Sequence, residues 1–275
     1  MHPHFAQGKA IVHPFALKLA LSFLVGAVWI TLTTMAAERY GSRVGGFLGG
    51  VPSTIVVALL FIGWSDGLAA ARATTTSFPL SFSVNALYLL AYAALARFGA
   101  AAALGGAVAA WVAGQALVLA LPRTPFAFNL AAVAVAVVVG YLVLEYGLQV
   151  RAQAGYRVRY TWQAIAGRGL LAGSIIALTV ALARLGGPVV GAAMGAFPAV
   201  FTSTLLIASR QAGAPFARGM TTSMLVSALI NVVVYVSAFR VWSNHLGLVA
   251  STLAALAVSL VSVAGTLVFV RRHVS

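Results

Sequence analysis

The chain has no cysteine, and only three of its 275 residues are acidic: Glu38, Asp66 and Glu145. Without cysteine there is no disulfide, no thiolate nucleophile and no sulfur-ligated metal, and the redox compartment stays undetermined. Three dispersed carboxylates argue against an acid-lined relay for protons or sodium, and against metal-dependent chemistry on lipid phosphates, which needs clustered acids. The five histidines, His2, His4, His13, His245 and His273, have no carboxylate or histidine partner at metal-ligand spacing. No Ser, His, acid constellation and no phosphate loop is present. The expectation is therefore a protein that is not an enzyme and has no catalytic residues, no metal and no cofactor.

Charge of either sign is scarce, at 7% of residues against 62% hydrophobic, with a mean hydropathy of +1.02. A polar shell cannot be built from that composition, so the chain is expected to be an integral membrane protein with the lipid bilayer as its partner. The net charge of +14 comes from basic residues placed singly between apolar runs, which excludes a nucleic-acid face. Those runs are 19–37, 44–65, 73–96, 98–122, 124–144, 160–183, 185–209, 219–239 and 241–270, most of them near the ~20 residues that cross the hydrocarbon. Nine spans are expected in an all-α polytopic fold.

A duplication organises the spans. Residues 41–85 align without a gap on 187–231 at an offset of 146, with 15 identities in 45 positions, where about one in ten is expected from so narrow a composition. Each copy reads as a helix, a helix broken by proline, a polar-striped helix and a fourth helix. This gives a tail at 1–14, a first membrane repeat at 15–121, a linking helix at 122–148, a basic loop at 149–161, a second repeat at 162–270 and a tail at 271–275. The run 19–37 has the length of a signal-peptide core, but its counterpart before the second copy places it in the fold. Five crossings separate equivalent helices, so the second repeat is expected to be inverted. With the N-terminus outside and the C-terminus cytoplasmic, 11 of 17 basic residues fall on the inner side, as a multi-pass protein of a cell (inner) membrane requires.

Three features of the repeats could carry function. Gly41, Gly45 and Gly49, matched by Gly187, Gly191 and Gly195, recur every four residues and are read as side-chain-free faces for helix packing, which a second copy of the chain would also suit. Pro52 and Pro198 interrupt apolar runs and break their helices, exposing new helix starts inside the membrane beside the hydroxyls of Ser53, Thr54, Thr202, Ser203 and Thr204. A plain structural kink is the alternative. Then come Arg72 with Thr75, Thr76 and Ser77, continued by Ser81 and Asn85, matched by Arg218, Thr221, Thr222, Ser223, Ser227 and Asn231. The i, i+4, i+8 spacing makes a polar stripe, read either as a solute lining or as interhelical hydrogen bonding. Pro79 is expected to break the first stripe's helix, and its match Leu225 is not. The acids are expected to lack pairing.

The stretch Gly195-Ala196-Phe197-Pro198-Ala199-Val200-Phe201, followed by Ala217-Arg218 and Thr221-Thr222, resembles the small four-helix GlpM-type inner-membrane proteins. The resemblance implies a four-helix unit in each half, 15–121 and 162–270, and no substrate. The first half departs from it with Val51-Pro52 in place of Phe-Pro. The reading is a transporter or permease for a small neutral or anionic solute, bound near the bilayer midplane between inverted repeats. A structural or accessory membrane protein, or a channel or lipid-moving protein, would use the same residues otherwise.

Overall fold

The computed structural model describes residues 7–39, 51–152 and 161–273, and every element among them is helical. In order these are α1 (Gln7–Arg39), α2 (Ser53–Asp66), α3 (Leu68–Leu95) with a 3₁₀ turn at Ala96–Phe98, α4 (Ala100–Ala120) and α5 (Phe126–Leu142) with a π turn at Val143–Gly147. Then follow α6 (Trp162–Gly195), α7 (Ala199–Arg218), α8 (Thr221–Trp242) and α9 (Leu248–His273). Seven helical stretches among the described residues are long and apolar enough to cross a membrane; α2, at 14 residues, is shorter. One of the seven, Trp162–Arg218, runs 57 residues and is interrupted at Gly187 and at Pro198.

Glycines and prolines set these boundaries. Gly67 and Gly99 sit at φ +92° and +98°, conformations that glycine adopts freely, and end α2 and the turn after α3. Pro125 precedes α5, where a missing N–H costs nothing. The spacing 187, 191, 195 does not form one helical face, because Gly187 at φ +82°, ψ 179° is a turn inside α6. The following proline disfavours helical backbone at that residue. Residues 188–195 fold back on the preceding helix: a Cβ on Gly191 would lie 2.5 Å from the Cβ of Ala183, and one on Gly195 3.1 Å from Thr179. Both packing glycines are thus buried within this chain. Gly41, Gly45 and Gly49 lie outside the described residues.

Two further expectations change. The helix α1 begins at Gln7 and passes through Pro14, inside the segment read as a tail at 1–14. Pro79 does not break α3, which continues past it to Leu95. Neighbouring helices hold a proline-containing helix together in a bilayer-type core, and Pro79 is buried among them. Two acids also have partners. Glu145 pairs with Arg151 at 2.7 Å, and Asp66 approaches Arg184 at 3.8 Å.

The helix α3 is the centre of the bundle, packing on α4, α5, α6 and α8. It contributes the fully buried Phe78, Tyr88 and Tyr92. It runs antiparallel to α8: Arg218, just before α8, donates to the carbonyl of Ala93 near the end of α3, and Arg240 near the end of α8 donates to the carbonyl of Arg72 near the start of α3. The helices α1 and α6 also cross antiparallel through small residues. A Cβ on Gly173 would stand 2.6 Å from the Phe23 carbonyl, and one on Gly169 2.5 Å from Thr31 Oγ1. Close backbone approach replaces hydrophobic drive where lipid is as apolar as the core.

Candidate solute pocket

Each proline break folds into the same shape. Pro52 has φ −75° and ψ 43°, and Pro198 has φ −79° and ψ 51°. In both, the next residue's amide donates two residues back, Ser53 to Val51 at 2.7 Å and Ala199 to Phe197 at 2.8 Å, closing an inverse γ-turn. The first helical bonds then run from Val56 to Pro52 and from Thr202 to Pro198. The amides of Thr54 and Ile55 in α2, and of Val200 and Phe201 in α7, therefore have no carbonyl four residues back within their helices. All four residues line one pocket.

The space at that pocket, with the open solvent at its mouth included, comes to about 400 Å³, and both breaks line it. Its walls are Val51 to Ile55, Phe78, Phe82 and Asn85 of α3, Gly195, Phe197, Pro198, Val200, Phe201, and Val232 of α8. Four phenylalanines make it largely aromatic, with Phe78 stacked on Phe82 at 5.3 Å between centroids. Asn85 is its polar side chain on α3. Fully buried, it donates Nδ2–H to the carbonyl of Ala196 at 3.1 Å, the last before the Phe197-Pro198 break. A carbonyl can only accept, so the amide nitrogen must face it. The Asn85 Oδ1 is left buried without a partner in the protein.

Of the residues anticipated from sequence, Pro52, Ser53, Thr54, Asn85 and Pro198 meet here. The second stripe does not. Asn231 donates to Thr266 at 2.9 Å and to Ser227 at 3.3 Å, and its Oδ1 accepts from Ser262 at 2.6 Å, so it knits α8 to α9. Thr202 donates to the Pro198 carbonyl and accepts from Tyr88, Ser203 bonds back along α7, and Thr204 accepts from the buried Arg168. Thr221 and Ser223 donate to the carbonyls of Arg218 and Met220, and Thr222 is buried in α8. Arg218 itself is spent on two main-chain carbonyls, Ala93 at 2.9 Å and Leu148 at 2.5 Å. Arg72, Thr75 and Thr76 gather at the far end of α3 with Arg240, while half-buried Ser77 and buried Ser81 lie between them and the pocket.

Sequence reasoning missed Gln115 and Trp111 on α4. Gln115 donates to the carbonyl of Ser81 at 2.7 Å, and Trp111 meets Phe197 edge-on at 5.1 Å. Gln115 Oε1, Trp111 Nε1 and Ser81 Oγ are buried polar atoms without protein partners. The available signal was a lone glutamine four residues after a tryptophan in an otherwise Ala, Gly, Leu and Val helix.

The pocket thus brings together two helix starts, one amide oxygen without a protein partner and an aromatic wall. No family model, curated protein or solved structure matches this chain.

Proposed function

We propose that the chain is a transporter of a small solute, bound in the pocket between the breaks at Pro52 and Pro198. The observation that carries this reading is the convergence on one pocket of two helix starts with matched geometry and the free Oδ1 of Asn85. Broken helices whose ends point into a shared central site are how membrane transporters bind polar solutes within a bilayer. The donors suit a carbonyl or anionic group, the asparagine oxygen an N–H or O–H, and the phenylalanines an apolar body.

The underlying architecture we propose is two inverted four-helix repeats joined by α5, making nine crossings. Several observations at the offset of 146 support it. Gly67 at φ +92°, ψ 160° corresponds to Gly213 at φ +85°, ψ 160°, and the two proline breaks correspond as well. The equivalent residues Ala27 and Gly173 touch where α1 and α6 cross, as residues beside a two-fold axis must. Antiparallel α3 and α8 satisfy the same operation. Movement of one repeat against the other would then open the pocket to alternate sides. The GlpM-type likeness of the second half fits the four-helix unit.

The test is thermal stability of the purified protein in neutral detergent against amino acids, sugars, carboxylates and other small anions, since a ligand of the folded state raises the melting point. A stabilising compound whose effect disappears in Asn85→Leu is the expected result. No shift with any compound, or a shift unchanged in that variant, removes the pocket assignment.

A further inference from the structure

A second polar cluster lies at the opposite end of α3. Arg72 precedes Asn85 by thirteen residues, about 20 Å along a helix axis, and does not line the pocket. Here the guanidinium of Arg240, on α8, donates to Thr76 Oγ1 at 2.8 Å, to Thr75 Oγ1 at 3.3 Å and to the carbonyl of Arg72 at 3.3 Å. It lies 4.8 Å from the centre of the Phe126 ring. The Arg240 guanidinium thus reaches the main chain of Arg72 itself, and the two positive charges act on each other. Among the described residues neither has a carboxylate partner. Asp66, near this end of the bundle, is engaged by Arg184.

The duplication supplies an internal control. Arg218 stands 146 residues after Arg72, and its Nε–H donates to Ala93, its Nη2–H to Leu148. The Nε–H of Arg72, in the same place of the other half, is buried and has no acceptor in the protein. One half closes its arginine with main-chain carbonyls. The other brings a second arginine alongside and leaves a buried donor bare.

We propose that Arg72 and Arg240 form a binding site for a phosphate-type oxyanion, separate from the central pocket. A tetrahedral oxyanion accepts from both guanidinium forks at once, cancels the repulsion between them and supplies the acceptor that Arg72 Nε–H lacks. The hydroxyls of Thr75 and Thr76 hold Arg240 in place, and Phe126 backs its face. The oxyanion can be a free phosphate or the headgroup of an anionic lipid, which share this chemistry.

The experiment uses the full chain in neutral detergent and follows melting temperature against inorganic phosphate in one series and short-chain phosphatidylglycerol in another. At least one should stabilise the protein, and the series that does identifies the source. Arg72→Gln and Arg240→Gln should each weaken that response about tenfold or more, the loss of one charge-assisted contact. Arg97→Gln, which removes an exposed positive charge at the other end of α3, and Asn85→Leu should leave it intact. If Arg72→Gln does not fold, Arg72→Lys, which keeps the charge but has no Nε–H fork, and Arg240→Gln carry the comparison. No response to either compound, or equal loss in Arg97→Gln, overturns the site. A response lost in Asn85→Leu and kept in Arg72→Gln would assign the anion to the central pocket and overturn this proposal while sparing the transporter reading.

Discussion

Asn85 and Asn231 occupy equivalent places at the offset of 146, yet the same substitution should have unequal consequences for stability. Asn231→Leu removes three side-chain contacts, to Ser227, Thr266 and Ser262, two of which join α8 to α9. At an average near 0.6 kcal/mol for such bonds in a membrane protein, the loss is about 2 kcal/mol. Asn85→Leu removes one bond, to Ala196, worth about 0.6 kcal/mol on the same scale. It also removes an unpaired buried oxygen, whose desolvation costs about 1–3 kcal/mol. The substitution also leaves the Ala196 carbonyl without this donor, a cost of the same order, so the net effect at Asn85 is near zero. Both variants can be unfolded reversibly by increasing the fraction of denaturing detergent in mixed micelles, with helicity and tryptophan fluorescence as probes. Equal destabilisation, or a larger loss in Asn85→Leu, would refute the claim that one asparagine holds the fold together and the other is kept for a ligand.

Two other changes test the packing. Gly191→Ala should destabilise the protein by about 1–3 kcal/mol, because its Cβ would stand 2.5 Å from the Cβ and 2.8 Å from the Cα of Ala183. Gly105→Ala, on α4 with nothing within 4 Å of the added carbon, should gain up to about 1 kcal/mol in helix propensity; the same micelle titration distinguishes them. Arg218→Gln should cost at least about 2 kcal/mol, since charge-assisted bonds to two carbonyls are lost. Arg72→Gln, with no acceptor for its Nε–H, should cost less in the absence of added anion.

Periodicity and composition made the helices legible, and Pro52 and Pro198 placed both breaks, because each removes an N–H from an apolar span. Glycine was less transparent. The spacing 187, 191, 195 reads as a face only if the backbone is helical throughout, and Gly186-Gly187-Pro188 was the sign that it is not. Pro79 was misleading in the other direction, since local propensity breaks a helix that the helices packed on α3 keep continuous. Matching residues between repeats also hid their different partners. Which of two identical asparagines is free depends on the helix packed against each, and a stripe read along one helix says nothing of that helix's neighbour.

The neighbour is where the halves diverge. Asn231 is satisfied by Ser262 and Thr266 of α9, and its carbonyl by Ser259. At the same offset α4 carries Ala113, Ala116 and Ala120, all exposed, and turns Gly114 and Gln115 inward instead. Gln115 reaches the carbonyl of Ser81, one turn before Asn85, and leaves the Asn85 Oδ1 without a protein partner. The arginines follow the same division, with Arg218 closed by carbonyls and Arg72 left with a bare donor. A buried polar group without a partner costs stability wherever it sits. Both of these unsatisfied side chains belong to the first copy, and their counterparts in the second are bonded within the protein. The division holds for the asparagines and the arginines and not for every matched pair, since Thr222 Oγ1 of the second copy is buried without a protein partner while its match Thr76 accepts from Arg240.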